Sequence, residues 1–159
     1  MVNIELINFT KLPFEMKKMV LEWRNHPDIK RWMYSQSEIT LEEHLNFIEN
    51  LQKIDDKQYF LVKNGDEFIG VIDFTNINQH TADIGIYSNP MISGVGSLLI
   101  KEIISYSFES LKLRTIFAEV LVENKKAYKL YAKVGFKECK KKEVNGKKVV
   151  RMELVNENR

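Results

Sequence analysis

The stretch that most constrains the fold runs from Asp83 to Leu111. It begins as a short strand of alternating apolar residues, breaks at Asn89-Pro90, and passes through Ser93-Gly94-Val95-Gly96-Ser97 into an amphipathic helix. The apolar positions of this helix lie three to four residues apart and comprise Leu98, Leu99, Ile103, Ile104, Phe108 and Leu111. Because successive backbone N–H groups and the positive end of the helix dipole meet at the glycines, the stretch predicts an anion site.

Two familiar phosphate loops do not fit this stretch. A Walker loop requires lysine after its second glycine, whereas Gly96 is followed by Ser97-Leu98. A dinucleotide-binding fingerprint requires a third glycine at the position of Leu99. Glycines at the start of a helix also commonly make only a turn. The pattern therefore predicts either a phosphate loop of another kind or a plain turn.

The composition is that of a globular protein, and we predict a single domain over residues 1–159. The balance of 24 Lys+Arg against 22 Asp+Glu gives a net charge of +2, which argues against a nucleic-acid or membrane-surface protein. The single Cys139 excludes an internal disulfide framework. Together with the lack of a long apolar run, this predicts a cytoplasmic protein.

Hydrophobic periodicity predicts the element order β, α, α, β, β, β, α, β, α, β, β. The expected architecture is a mixed α/β sheet, mostly antiparallel and flanked by four helices. A helical crossover joins the strand before the glycines to the strand at 115–122, so these two should be parallel. Asn145-Gly146 is a hairpin-turn signal, and Gly135 is a helix-end signal.

The N-terminal half supplies several candidate functional side chains. Arg24, in the run W-R-N-H-P-D-I, suits either a phosphate contact or a surface ion pair. Trp32-Met33-Tyr34 suits either core packing or the flat face of a base. His26 and His44 fit capping or packing positions better than catalytic ones. Thr40-Leu41-Glu42-Glu43 is a capping box.

The run N-K-K-A-Y-K-L-Y-A-K-V-G-F at 124–136 follows the glycine loop one strand later. In combination, the two motifs resemble the GNAT superfamily of N-acetyltransferases over most of the chain. This resemblance implies a splayed parallel strand pair with acetyl-coenzyme A in the gap as co-substrate, and no metal. The implied donor-binding residues are Ile86, Tyr87, Ser88, Gly94, Val95, Gly96, Ser97, Leu98, Asn124, Ala127, Tyr128 and Tyr131. Met91 stands where many members have Gln or Arg.

Acetylation of an amine needs an acid and a base, because a protonated amine cannot attack and the leaving thiolate needs a proton. The family pattern implies that Tyr131 is the acid. For the base, Asp83 and Glu119 lie on the neighbouring parallel strands, and either could act directly or through water. Glu123 is a third acidic option, although its place at a strand end suits capping of the next helix better. Asn124 could bind the pantetheine arm, cap its helix, or do both.

A narrower resemblance, to the acetyltransferases of pseudaminic acid biosynthesis in flagellin glycosylation, is carried by the segments W-R-N-H-P-D-I, W-M-Y, E-E-H-L-N-F-I, Y-F-L-V and G-V-I-D-F. It implies acetylation of the 4-amino group of UDP-4-amino-4,6-dideoxy-N-acetyl-β-L-altrosamine. Met33, Tyr34 and Phe47 would then line the nucleotide-sugar pocket, with Glu119 near it. Arg24 or a nearby lysine could meet the diphosphate. We expect a monomer or homodimer. Alternatives are a ribosomal-protein-type N-terminal acetyltransferase and a non-catalytic coenzyme A-binding module.

Overall fold

The computed structural model describes residues 2–157, which fold around one seven-stranded sheet. The strands are β1 (Ile4–Asn8), β2 (Gln58–Asn64), β3 (Glu67–Thr75), β4 (Thr81–Ser88), β5 (Thr115–Leu121), β6 (Lys137–Val144) and β7 (Lys147–Val155). The helices are α1 (Phe14–Asn25), α2 (Pro27–Lys30), α3 (Leu41–Leu51), α4 (Gly96–Ser105) and α5 (Lys125–Lys133). The predicted element order is confirmed, and α2 is a short additional helix that begins at Pro27.

The strands lie in the order β1-β2-β3-β4-β5-β7-β6. Every neighbouring pair is antiparallel except β4 and β5, which are parallel and joined through α4. This confirms the predicted mixed sheet and its single parallel pair. The physical reason is that the α4 crossover returns the chain to the same end of the sheet, so β5 must run in the same direction as β4.

The sheet buries an apolar cluster on each face. Side chains alternate along a strand, so neighbouring positions point to opposite faces. One face packs beneath α4 and α5 and contains Phe60, Phe74, Ile84, Leu99, Ile103, Ile116, Tyr131 and Met152. The other packs beneath α1 and α3 and contains Phe9, Val20, Trp23, Ile48, Leu61 and Val71. The two helical layers therefore fix the sheet from both sides.

The parallel pair opens partway along its length. Thr81–Ile84 of β4 pair with residues 115–118 of β5, and the pairing then stops. β4 continues to Ser88 and β5 to Leu121, so their backbones diverge beyond Ile84. This divergence creates the slot that the family resemblance implies, and it begins at Gly85.

Local sequence signals explain most element ends. The Thr40 hydroxyl accepts a hydrogen bond from the Glu43 N–H at 3.1 Å, and the Glu43 carboxylate accepts one from the Thr40 N–H at 3.0 Å. Gly135, at φ +108°, ends α5 in a conformation that favours glycine. The helix predicted to continue to Leu111 changes instead to a π-helical turn at Tyr106–Ser110. Within residues 2–157, no helix has the length and apolar character needed to span a membrane.

Candidate active site

The glycine loop leaves an uncapped helix end facing open space. Gly94 has φ +76°, and a Cβ there would meet no atom within 4 Å. Val95 is the N-cap of α4 and offers no capping side chain. The N–H groups of the first helical turn, at Gly96, Ser97 and Leu98, consequently lack an acceptor within the helix. These free N–H groups could donate hydrogen bonds to the oxygens of a pyrophosphate, so the donor contact that the family resemblance implies stays a prediction that this geometry allows.

The slot between β4 and β5 has two different walls. Asp83, Gly85 and Tyr87 point towards α1 and α3, whereas Ile86 and Ser88 point the other way, because side chains alternate along the strand. The Tyr87 side chain packs with the apolar cluster beneath α1 and α3. Ile86, Tyr87 and Ser88 were predicted to bind the donor. Because the Tyr87 side chain lies on the face opposite to Ile86 and Ser88, only the Tyr87 backbone could contact a donor on their side.

Tyr131 is held in the buried layer beneath α5. It is 4% exposed, and its ring packs at a steep angle against Phe136 at 5.1 Å between centroids. Burial raises the pKa of Tyr131, and the charge of Asp73 raises it further. The hydroxyl therefore stays protonated at neutral pH, as a proton donor must be.

The other α5 residues that were predicted to bind the donor have contacts of their own. Asn124 caps the helix, since its side chain accepts a hydrogen bond from the Ala127 N–H at 3.2 Å. The Tyr128 hydroxyl donates to the carboxylate of Glu138 on β6. The capping alternative for Asn124 is thus confirmed, while its contact with pantetheine stays a prediction.

The two carboxylates predicted as bases share one arginine. Arg151 on β7 donates to Glu119 at 2.8 Å and to Asp83 at 2.8 Å. Glu119 also pairs with Lys142 at 2.7 Å and accepts a hydrogen bond from Tyr34. Burial acts to raise the pKa of Glu119, but these donors together lower it. The structure brings both carboxylates together around Arg151, and the donors around Glu119 make that residue a weaker base than a free carboxylate.

Tyr34 joins the loop between α2 and α3 to this charged cluster. Its hydroxyl donates to Glu119, and its backbone carbonyl accepts a hydrogen bond from the Asn145 side chain at 3.0 Å. Burial, followed by the contact with Glu119, raises the pKa of Tyr34. Met33 beside it is half-buried. The aromatic segment is therefore anchored at the site, and the tip of the β6–β7 hairpin closes over it.

Sequence reasoning missed Asp73 on β3. This half-buried carboxylate lies across from Gly85, its register partner on β4. A Cβ on Gly85 would lie 2.7 and 2.9 Å from the two carboxylate oxygens, so glycine is needed there. Burial raises the pKa of Asp73 to about 7. The available signal was an acidic residue inside the apolar run G-V-I-D-F.

Arg24 and Phe47 lie near the same wall. Nη1 of Arg24 is buried and has no hydrogen-bond partner within residues 2–157, and burial lowers the pKa of this guanidinium. The charge of Arg24 acts on Tyr59 and Tyr87, and Phe47 packs edge-on against Tyr59 at 4.9 Å between centroids. Arg24 forms no surface ion pair with any described residue, so that alternative from the sequence is wrong.

The remaining candidates have structural contacts. His26 caps α2 by accepting a hydrogen bond from the Asp28 N–H at 3.1 Å. His44 is buried, with Nε2 at 2.8 Å from the Lys17 carbonyl oxygen. Cys139 is exposed on β6. The predicted structural roles of both histidines agree with these contacts. Between residues 2 and 157, no group of three or more His, Cys, Asp or Glu side chains is placed to hold a metal ion.

Residues 9–137 match the acetyltransferase (GNAT) domain family, and the chain belongs to that family. This membership confirms the predicted fold and the predicted class of enzyme, an acetyl-coenzyme A-dependent N-acetyltransferase. Two curated proteins from Campylobacter jejuni strains, each named acetyltransferase PseH, are 44% and 45% identical over 133 residues, or 84% of this chain and 84% of each relative. The chain thus resembles the group that the N-terminal segments indicated.

Solved structures agree with the sequence relatives. The crystal structure of Campylobacter jejuni N-acetyltransferase PseH in complex with acetyl coenzyme A matches with a TM-score of 0.81 at 36% identity, covering 96% of this chain and 99% of that one. A spermidine N-acetyltransferase from Vibrio cholerae matches with a TM-score of 0.85 at 24% identity, covering 96% and 95% of the two chains. The second likeness concerns the fold alone.

Proposed function

We propose that this enzyme transfers the acetyl group of acetyl-coenzyme A to the 4-amino group of a UDP-linked amino-dideoxy sugar, as in pseudaminic acid biosynthesis. The observation that carries the acceptor is Nη1 of the half-buried Arg24, a buried atom without a hydrogen-bond partner in residues 2–157, in an environment that includes Tyr59 and Tyr87. The similarity of the chain to proteins named acetyltransferase PseH supports the same acceptor.

Arg24 is suited to a diphosphate. Burying an N–H of a cation without an acceptor is unfavourable, and two oxygens of a phosphate match two parallel N–H groups of a guanidinium. The phenol rings of Tyr59 and Tyr87, whose pKa values are raised by burial, are uncharged at neutral pH and do not neutralise Arg24. An anionic substrate therefore supplies the missing charge. A peptide N-terminus or a polyamine, being cationic, does not.

The aromatic segment favours a nucleotide. Tyr34 is fixed by contacts at both its hydroxyl and its carbonyl, and Phe47 is fixed against Tyr59. Side chains held this way present apolar surface to a flat base at little entropic cost. Met33, next to Tyr34, adds a polarisable thioether. A uracil ring would pack against one of these aromatic side chains, with the diphosphate directed towards Arg24.

The donor side fits coenzyme A. The uncapped first turn of α4 would hold the pyrophosphate, and the unpaired backbone of β4 beyond Ile84 would hydrogen-bond the pantetheine arm. Bound acetyl-coenzyme A supplies an activated acetyl thioester. Tyr131, kept protonated by its burial, would donate a proton to the departing sulfur.

The test is a thiol-release assay with acetyl-coenzyme A and a panel of amines. The panel contains the UDP-linked 4-amino sugar, the same sugar without its nucleotide, an N-terminal peptide of a ribosomal protein, and spermidine. We expect rapid turnover of the nucleotide sugar alone. Turnover of the peptide or spermidine with none of the nucleotide sugar would overturn the proposal, and failure to turn over any amine would favour a non-catalytic module.

A further inference from the structure

We propose that Asp73 is the general base of the reaction, taking a proton from the acceptor ammonium so that the amine can attack the acetyl carbon. The inference rests on the proposed acetyl transfer and adds to it the residue that starts the chemistry. In this proposal Asp73 on β3 accepts the proton, and Asp83 on β4 and Glu119 on β5 do not.

The first argument is position. Asp73 is paired in register with Gly85, the first β4 residue beyond the segment that pairs with β5. Its oxygens lie so close over Gly85 that a Cβ there would stand 2.7 Å from one of them. The carboxylate thus lies where the parallel strands begin to diverge. On the proposed route, an amine that enters from the side of α1 and α3 would reach the carboxylate there.

The second argument is that the two other candidate bases, Asp83 and Glu119, already form ion pairs. Arg151 binds Asp83 and Glu119 at 2.8 Å each, and Lys142 binds Glu119 at 2.7 Å. Glu119 holds two cations and gains little by accepting a proton, since protonation would cost it both attractions, while Asp83 is held in its ion pair with Arg151. The carboxylates of the parallel strand pair are thus both occupied by cations, whereas a base needs a free lone pair to take the proton of an ammonium.

The third argument is the environment of Asp73 itself. Within residues 2–157, no hydrogen bond or ion pair reaches its carboxylate, so no protein group competes for the lone pair that a base needs. The titratable groups around it are the phenols of Tyr59 on β2, Tyr87 on β4 and Tyr131 on α5, all of which its charge affects. Arg24 on α1 acts on the first two phenols. Burial raises the pKa of Asp73 to about 7, which suits a base working near neutrality.

The proposed step balances. One N–H bond of the ammonium breaks, and its proton passes to Asp73. The freed lone pair forms the N–C bond to the acetyl carbon, the C–S bond breaks, and the sulfur takes the proton of Tyr131. Tyr131 recovers a proton from the acylated nitrogen through water, and Asp73 returns its proton to solvent. The products are the amide, the free thiol of coenzyme A and one proton.

The experiment compares kcat/KM for the UDP-linked 4-amino sugar as a function of pH in wild type, Asp73→Asn and Asp66→Asn. Asp66 lies exposed in the β2–β3 turn and is the matched control. We expect Asp73→Asn to lose about 100- to 10,000-fold in kcat/KM near neutral pH and to lose the acidic limb centred near pH 7, with KM for acetyl-coenzyme A unchanged. Asp66→Asn should match wild type at every pH.

A second variant tests position without touching the carboxylate. Gly85→Ala would push the Asp73 side chain aside, because the added methyl would lie within 3 Å of its oxygens, as the 2.7 and 2.9 Å distances require. It should lower kcat while the protein stays folded by circular dichroism. The proposal is overturned if Asp73→Asn and Gly85→Ala both show the pH–rate profile of wild type. It is also overturned if Glu119→Gln or Asp83→Asn loses the acidic limb of that profile while Asp73→Asn keeps it.

Failure of the acceptor is distinguishable from failure of the base. If wild type does not turn over the nucleotide sugar, the proposed acceptor is wrong. The same profiles are then measured with whichever amine of the panel wild type does acetylate. The Asp73 proposal stands or falls on those profiles, since any ammonium acceptor must lose a proton at the same place.

Discussion

Replacing Asp73 with asparagine should stabilise the folded protein above neutral pH. The side chain keeps nearly the same shape in this variant but can no longer carry a charge. Burial raises the pKa of Asp73 from 3.8 to about 7, so the ionised carboxylate is less stable in the folded state than in the unfolded state. Asparagine removes that penalty.

The pH dependence follows from the sign of this shift. Between about pH 4 and about pH 7 the folded protein binds more protons at this site than the unfolded chain does, so wild-type stability falls as pH rises. The pKa differs by about three units between the folded and unfolded states, and each unit corresponds to about 1.4 kcal/mol. Ionisation of Asp73 therefore costs the folded protein at most about 4 kcal/mol of unfolding free energy. Because the side chain is half-buried and water relaxes part of the penalty, we expect about 2 to 4 kcal/mol.

The assay is urea unfolding of wild type, Asp73→Asn and the exposed control Asp66→Asn, followed by circular dichroism at several pH values. Below about pH 4, Asp73→Asn should have the same unfolding free energy as wild type. At about pH 8 its unfolding free energy should be about 2 to 4 kcal/mol higher than that of wild type. Asp66→Asn should follow wild type throughout. Equal stability of Asp73→Asn and wild type at about pH 8, or a loss of stability, would refute the reasoning about burial.

Three further substitutions test other parts of the site. Tyr131→Phe should lower kcat by about ten- to a thousand-fold with little change in acetyl-coenzyme A affinity, whereas a raised KM with unchanged kcat in steady-state assays would make Tyr131 a binding residue. Arg24→Met should raise KM for the nucleotide sugar by about 10- to 100-fold, the effect of one lost charged hydrogen bond. An unchanged KM would argue against the diphosphate contact. Burial lowers the pKa of His44 below 6.5, so unfolding free energy should decline as pH falls below about 6.5, and His44→Gln should flatten that decline in urea titrations.

The fold was largely predictable because its signals are local. Alternation identified the strands, the glycine loop located the start of α4, and the capping box located the start of α3. The crossover rule then made β4 and β5 parallel without any tertiary information. The sequence could not place the end of α4, where the π-helical turn at Tyr106–Ser110 depends on packing against the sheet.

The site was predictable only where a motif carries it. The glycine loop is recognised along the chain itself, whereas the role of Tyr131 rests on the resemblance to the family motif and stays a prediction. The pairing of Arg151 with Asp83 and Glu119 could not be predicted, because it depends on β7 lying beside β5 and on the register between them. Asp73 was overlooked since nothing in the motif refers to β3. Its position became apparent only when register placed it over Gly85.

The most direct test of the proposed function is the structure of the product. Wild-type enzyme is incubated with isotopically labelled acetyl-coenzyme A and the UDP-linked 4-amino sugar, and the product is examined by NMR. The account predicts a single labelled acetyl group in amide linkage to the nitrogen at carbon 4, with the nucleotide intact. A labelled acetyl group on a hydroxyl of the sugar would contradict the account. Recovery of unlabelled sugar together with unreacted acetyl-coenzyme A would contradict it as well.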